Sequence, residues 1–162
     1  MVIIAKIKLT SLILGENPPD NSGIRRLKKR SGDIAVDAKQ WMGQVRAACG
    51  VLGYKLNEEA LLLPETYVTP MIELHRRTYS GAKVELFESI RKGAELSIEF
   101  ATRGDLPDCP TLEQVREIIA TIGRHFGLSQ WGNKFGFGRF KLIQCCDKFS
   151  LSSDTSPDLD VG

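Results

Sequence analysis

The sequence has few of the residues that build metal and redox sites. It contains two histidines and four cysteines among 162 residues, and no two cysteines stand in a C-x-x-C spacing. Zinc sites need clustered thiolates and imidazoles, so we predict no metal and no cofactor. Without a paired cysteine framework, reduced thiols in a cytoplasmic protein are expected. The adjacent Cys145 and Cys146 fit either packing at the end of a strand or a redox-active pair.

Long apolar runs and a strong net charge are also missing. The apolar stretch at residues 1–14 is interrupted by Lys6 and Lys8 and is too short to cross a bilayer. The 22 lysines and arginines nearly balance the 20 aspartates and glutamates, which leaves a net charge of +2. No membrane partner is therefore expected. Any attraction to nucleic acid must come from local clusters of charge.

The length and the 42% hydrophobic content are typical of one folded domain. We assign this domain to residues 1–149. Residues 150–162 are rich in serine and aspartate and have few apolar side chains, so they are predicted to form a disordered acidic tail.

Hydrophobic periodicity predicts the regular elements. Apolar residues occupy every second position from residue 3 to residue 9, namely Ile3, Ala5, Ile7 and Leu9. This period of two indicates a first strand, which continues to residue 14. The remaining predicted strands cover residues 67–79, 84–90 (a strand extension or hairpin arm), 95–100 and 139–145. Two helices are predicted over residues 37–53 and 111–122, with N-terminal capping pairs Asp37–Gln40 and Thr111–Gln114.

The order β-α-β-β-α-β predicts an α+β fold of ferredoxin-like topology, in which two helices cover one face of a four-stranded antiparallel sheet. The open face would then carry Lys6, Lys8, Glu73, His75, Glu95, Glu99, Arg139 and Lys141. These charges of both signs are typical of cross-strand ion pairs on a solvated face. Only Phe137 offers an aromatic ring on which a base could stack, so nucleic acid would be held by loops.

The first candidate loop covers residues 15–35 and is predicted to be flexible and basic. Its cations are Arg25, Arg26, Lys28, Lys29 and Arg30. Neutralising phosphates with these cations would release counterions and give salt-dependent affinity. Arg46, on the first helix, could extend the patch. The alternative is a solvated loop whose charge has no ligand.

The second candidate loop is the glycine-rich run at residues 123–142. Glycines such as Gly136 and Gly138 permit positive φ and remove Cβ atoms, so backbone amides can converge on a phosphate. Lys134 and Arg139 would add charge, and Trp131 or Phe135 could stack on a base. The alternative is a tight connection that packs the second helix against the last strand.

Three stretches resemble the RAMP superfamily, the ferredoxin-like RNA-binding proteins of CRISPR effector complexes and CRISPR RNA processing. They are residues 7–15 with 41–48, residues 87–100, and residues 127–140, which end in Gly-Phe-Gly-Arg-Phe. The resemblance implies that the loops hold RNA and that the partners include other protein subunits or further copies along the RNA. The chain is shorter than most backbone subunits of the family, so a stand-alone member on a phage or other mobile element fits equally well.

Processing endonucleases of this family often cleave RNA with a histidine. The two candidates are His75, in a predicted strand, and His125, at the end of the second helix. Neither matches the family's usual catalytic position near the first helix, so the prediction is non-catalytic binding of RNA or, in second place, of single-stranded DNA. The alternatives are a metal-independent endoribonuclease that uses one of these histidines, and a subunit whose charged loops contact protein.

Overall fold

The computed structural model describes residues 1–30, 33–36, 38–63, 66–68, 72–78, 84–128 and 136–150. Its strands are β1 (Val2–Leu9), β2 (Ile13–Leu14), β3 (Ile24–Arg25), β4 (Lys29–Arg30), β5 (Asp33–Val36), β6 (Leu61–Leu62), β7 (Thr66–Val68), β8 (Ile72–Thr78), β9 (Val84–Ile90), β10 (Glu95–Thr102) and β11 (Phe140–Asp147). The α-helices are α1 (Ala38–Leu52) and α2 (Leu112–Thr121), accompanied by a 3₁₀ turn at Glu58–Ala60 and a π-helical turn at Ile122–Phe126. Within these ranges, no helix has the length and apolar character needed to cross a membrane.

The central sheet has four antiparallel strands in the order β11-β1-β10-β6. In β1, Ile3 and Ile7 are fully buried, whereas Lys6 and Lys8 are exposed, as the alternation predicts. The predicted α+β class with a four-stranded antiparallel sheet is therefore confirmed.

A β-bulge in β11 keeps its apolar residues on the core face. Gln144 pairs with Lys6 of β1, and Leu142 pairs with the next residue, Ile7. Ile143, between them, is therefore the extra residue of the bulge, and it is 45% exposed. Strict alternation would place Phe140 and Cys145 on opposite faces, but the bulge lets both lie in the core. Cys145 is 5% exposed and belongs to the core cluster, and this burial raises the pKa of its thiol.

Both helices pack on the same face of the central sheet. Trp41 of α1 is 1% exposed and meets Phe100 of β10 edge to face, with ring centroids 5.7 Å apart. Ile118 and Ile119 of α2 join the same buried cluster. The core therefore lies between one sheet face and two amphipathic helices.

The predicted capping box of α2 is present. The Thr111 side chain accepts a hydrogen bond from the Gln114 amide at 3.1 Å, and the Gln114 side chain accepts one from the Thr111 amide at 3.0 Å. We expect Thr111→Ala to lower the free energy of unfolding by about 1 kcal/mol, because the Gln114 amide loses the hydroxyl that accepts its hydrogen bond. Urea unfolding measures this loss. The Thr111→Ser variant should retain most of the stability, and equal losses in the two variants would contradict a capping role.

A second sheet is built around β9. β8 pairs antiparallel along the whole of β9, so β2 (antiparallel) and β3 (parallel) share the opposite edge. A third sheet has the order β4-β5-β7. The segment predicted as a basic loop at 15–35 thus contains β3 and β4 and reaches into β5.

Two assignments to the central sheet were wrong. Ile72–Thr78 forms a strand, but it belongs to the second sheet, and the short β6 takes the place beside β10. Glu73 and His75 therefore do not lie on the open face of the central sheet. Residues 13–14 also leave the first strand for the second sheet, because the chain turns where the Thr10 and Ser11 amides both donate to the Arg139 carbonyl. The proposed helix cap Asp37 lies outside the described residues.

Candidate nucleic-acid interface

The described part of the glycine-rich run forms a turn fixed to the start of the chain. Gly136 and Gly138 have positive φ values of 77° and 72°. The Gly138 amide donates to the Leu12 carbonyl at 2.8 Å, and the Arg139 amide donates to the Ser11 hydroxyl at 2.8 Å. Three predicted contact residues, Trp131, Lys134 and Phe135, lie outside the described residues.

Two glycines of the run are required by the packing of the chain on itself. A Cβ atom at Gly123 would lie 2.3 Å from the Phe140 carbonyl oxygen, and one at Gly127 would lie 2.7 Å from the Phe137 carbonyl oxygen. Gly136 is different, since nothing lies within 4 Å of its Cβ position. The packing alternative therefore accounts for Gly123 and Gly127, and the close approach of a ligand is possible at Gly136.

The described aromatics of this region already have protein partners. Phe140 is buried in the core beside Trp41. Phe137 is half-buried and lies under the guanidinium of Arg77, with 5.1 Å between Arg77 Cζ and the ring centroid. Neither ring is placed as an open surface for base stacking.

An open groove of about 580 Å³ lies beside the glycine turn. Its lining comprises Thr10, Ala120, Gly123, Arg124, Arg139, Phe140, Lys141 and Leu142. The Arg139 guanidinium donates to the Arg124 carbonyl, which fixes one side of the groove. The side chains of Arg124 and Lys141 are exposed.

Further cations continue from this groove across the end of the central sheet. Lys8 stands opposite Lys141 in the pairing of β1 with β11. The turn that carries Arg91 and Lys92 is fixed to β1, because the Gly93 amide donates to the Leu9 carbonyl at 2.8 Å. β10 and β11, on either side of β1, are two strand spacings apart, which is about 10 Å in total. We define the basic end as Lys8, Arg91, Lys92, Arg124, Arg139 and Lys141.

The charge at the basic end is largely uncompensated. Lys8, Arg91, Lys92, Arg124 and Lys141 are exposed, and none of them forms an ion pair with a carboxylate in the described part of the chain. Glu95, which stands opposite Lys8, instead contacts Lys6 at 3.6 Å. Adjacent like charges on a solvated surface attract a polyanion.

Three cations of the predicted basic loop, by contrast, have carboxylate partners within the protein. Arg25 lies 3.5 Å from Glu85. Arg26 contacts Asp20 at 2.7 Å and Glu88 at 3.3 Å, and Lys29 contacts Glu88 at 3.1 Å. Lys28 also has a partner, and Arg30 is described only through its backbone in β4. These cations hold the segment against β9.

Glu88 is the centre of this arrangement. It is 4% exposed, and it accepts a hydrogen bond from the Leu27 amide at 3.0 Å. Burial by itself raises the pKa of this carboxyl group, but the hydrogen bonds from Lys29, the Leu27 amide and Arg26 outweigh it and keep the pKa below its ordinary value. Glu88 is therefore charged at neutral pH, and it neutralises cations that were predicted to bind RNA.

The other candidates lie apart from the basic end. Arg46 forms a bidentate pair with Glu58, in which Nη2 and Oε2 are 2.8 Å apart, so it joins α1 to the 3₁₀ turn. His75 is half-buried opposite Phe87 of β9, and His125 is exposed in the π-helical turn. The described residues contain no group of three or more histidine, cysteine, aspartate or glutamate side chains that could hold a metal ion.

Sequence reasoning missed five members of the basic end: Lys8, Arg91, Lys92, Arg124 and Lys141. Lys8 was assigned to the solvated face, and the Arg91-Lys92-Gly93 sequence was interpreted only as a turn. The register of β1 with β11 brings Lys8 and Lys141 together, and the hydrogen bonds from the Gly93 amide to the Leu9 carbonyl and from Arg139 to the Arg124 carbonyl bring the others to the same end. No local pattern encodes these contacts. The sequence matches no protein-family profile and no curated protein.

Proposed function

We propose that the protein binds single-stranded RNA through the sugar-phosphate backbone at the basic end and does not cleave it. The observation that carries the proposal is the gathering of five exposed cations without a described carboxylate partner beside the glycine turn. Each phosphate that such a cation neutralises releases counterions. The groove lined by Arg124, Arg139 and Lys141 would hold part of the strand.

The strand order supports a ferredoxin-like arrangement. The elements β1, α1, β6, β10, α2 and β11 follow one another in the order β-α-β-β-α-β, and the sheet order β11-β1-β10-β6 places the first and third of these strands in the middle. In this arrangement β8 and β9 form an inserted hairpin. This strand order, together with the RAMP resemblance, makes RNA the favoured polyanion.

The contacts favour recognition of the backbone rather than of the bases. Phosphate contacts position a nucleic acid without conveying its sequence. Because Phe137 is covered by Arg77 and Phe140 is buried, the described surface offers cations and backbone amides more than stacking platforms. We therefore expect weak sequence preference.

The proposal predicts a salt-dependent affinity for unstructured RNA. Fluorescence anisotropy with a labelled oligonucleotide should give a log–log salt slope of about −3, from roughly four to five phosphate contacts. Replacing Arg124 and Lys141 by alanine should weaken binding about five- to tenfold at low salt and reduce the magnitude of the slope by about 1.4.

The matched control removes two cations at the opposite end of the sheet. Lys55 lies 3.3 Å from Asp108, and Arg103 lies 3.0 Å from Asp105. The double alanine variant at these positions should bind RNA like the wild-type protein. Equal losses in the two double variants would mean that net charge alone controls binding, and absence of binding at low salt would refute the proposed function. The RNA recovered from each reaction should be intact, and discrete cleavage products would favour the endoribonuclease instead.

A further inference from the structure

The groove beside the glycine turn has more space than a phosphate contact needs. Its volume of about 580 Å³ lies within the range of small-molecule sites, roughly 300–1,000 Å³. All of its lining residues belong to the described part of the chain. Phosphates alone could be bound by cations on a flat surface. The concave shape therefore indicates an occupant that enters the groove.

Apolar groups form the walls of this groove. Ala120 of α2 and Leu142 of β11 are half-buried, and Phe140, which is 3% exposed, also belongs to the lining. Apolar surface that a ligand removes from water favours binding, roughly in proportion to the area covered. The walls therefore favour a ligand that has an apolar part.

Exposed polar groups border the same groove. The side chains of Arg124 and Lys141 are exposed, and neither forms a hydrogen bond or an ion pair within the described residues. The hydroxyl of Thr10 is likewise exposed and has no described partner. The two cations can bind phosphates and the hydroxyl can bind a sugar, directly beside the apolar walls.

The outer edge of β11 adds a backbone donor and acceptor to the groove. Leu9 of β1 bonds towards β10, because its amide and carbonyl are bonded to residues 93–94, with N–O distances of 2.9 and 2.8 Å. Successive residues of a strand bond to opposite sides, so Lys8 bonds towards Lys141 of β11. The next residue of β11, Leu142, therefore directs its N–H and C=O away from β1. No described group forms a hydrogen bond with them.

A nucleotide combines the properties that the groove matches. The base is planar, its faces are largely apolar, and each of the four bases carries a donor beside an acceptor on its edge. The attached ribose and phosphate require a hydroxyl partner and cations, which the groove offers in Thr10, Arg124 and Lys141. A phosphate or a peptide carboxylate would use the cations and leave the apolar walls in water.

We propose that the groove receives one unstacked nucleobase of the bound strand, while Arg124 and Lys141 hold the phosphates beside it. This inference rests on the proposed RNA binding and adds a base subsite to it. Apolar walls and a single backbone donor–acceptor pair accept any of the four bases, so the sequence preference remains weak. The affinity should instead depend on the presence of bases.

Two oligomers of equal charge test the base subsite. One is a short oligouridine, and the other is the ribose-phosphate chain of the same length without bases. In fluorescence anisotropy at low salt, the wild-type protein should bind oligouridine about five- to tenfold more tightly, because only a base covers the apolar walls. The two log–log salt slopes should be equal, since both oligomers carry the same phosphates. Equal affinities would overturn the inference.

Filling the groove should remove this difference. Ala120→Leu adds a longer side chain to the lining and keeps a strong helix former. Its affinity for oligouridine should fall to about that for the abasic oligomer, which should itself change less than about twofold because the phosphate contacts remain. Ala47→Leu is the matched control on α1, since Ala47 is half-buried outside the groove and should give the wild-type ratio. A wild-type ratio in Ala120→Leu would overturn the inference.

Crosslinking locates the base in the wild-type protein, so this test does not depend on the stability of a variant. An oligomer that contains thiouridine should, after irradiation, be attached to the tryptic peptides 117–124 and 142–148, which carry the walls of the groove. Attachment confined to other peptides would contradict a base in the groove.

The results for the base subsite and for RNA binding are distinguishable. If both oligomers bind with the same affinity and salt slope, the basic end binds RNA and the base subsite is refuted. If neither oligomer binds at low salt, RNA binding itself is refuted, and the base subsite with it.

Discussion

Replacing Glu88 by glutamine is expected to lower the free energy of unfolding at pH 7 by about 2–3 kcal/mol. Glutamine keeps an oxygen that can accept from the Leu27 amide, but it has no charge to offset Arg26 and Lys29, which lie 3.3 and 3.1 Å from the carboxylate. The segment that carries these cations should then separate more easily from β9. Urea unfolding followed by circular dichroism measures the loss.

The difference between the wild-type protein and Glu88→Gln should also depend on pH. The pKa of Glu88 is lower in the folded protein than its ordinary value. Its contribution to stability is therefore fully present above the unfolded pKa of about 4.3 and is lost as the pH falls through the lower folded pKa. We expect the full difference at pH 7 and a difference that shrinks as the pH falls below about 4.3 and through the lower folded pKa.

Glu99→Gln provides the matched control. Glu99 is an exposed strand carboxylate that lies 3.5 Å from Lys148. Its replacement should change the free energy of unfolding by less than about 0.5 kcal/mol, because exposed ion pairs contribute little. A loss in Glu88→Gln that does not shrink as the pH falls through the folded pKa of Glu88 would contradict the electrostatic role and indicate a packing defect.

Replacing Gly123 by alanine is expected to cost roughly 2–3 kcal/mol of unfolding free energy. The added Cβ would lie 2.3 Å from the Phe140 carbonyl oxygen and 2.5 Å from the Phe140 ring. Neither group can move freely, since the backbone is paired in β11 and the ring is buried against Trp41. The π-helical turn must therefore shift away from the strand. Thermal and urea unfolding both report this change.

The same substitution should have the opposite effect at Gly43. This residue lies in the interior of α1, and nothing lies within 4 Å of its Cβ position. Alanine loses less conformational entropy than glycine in a helix, so Gly43→Ala should stabilise the protein by about 0.5–1 kcal/mol. If Gly123→Ala were as stable as Gly43→Ala, the close packing of the turn on β11 would be refuted.

Elements with a local signal were predicted well. β1, β10 and β11 follow from alternation, and α2 follows from its apolar stripe and the capping pair Thr111–Gln114. These patterns involve residues that lie within one or two helical turns, or within a few positions along a strand, of each other. The bulge at Ile143 was not foreseeable, since it depends on the register with β1.

The candidate site required long-range information. Five clustered cations at 25–30 gave the strongest charge signal in the sequence, but Glu88, 62 positions away from Arg26, neutralises part of that charge. Lys8, Arg91, Lys92 and Arg124 gave no local signal, yet the strand register and the hydrogen bonds of two turns bring them to one end of the sheet.

The sequence by itself determined the α+β class, the two helices and the main strands, because side-chain periodicity is a property of neighbouring residues. It also identified the glycine-rich run as a place of close approach. The tertiary structure decided that Gly123 and Gly127 approach the chain itself, that β8 belongs to a second sheet, and which cations keep uncompensated charge. These outcomes depend on strand pairing and ion pairs between distant residues, so they exist only when the chain is folded.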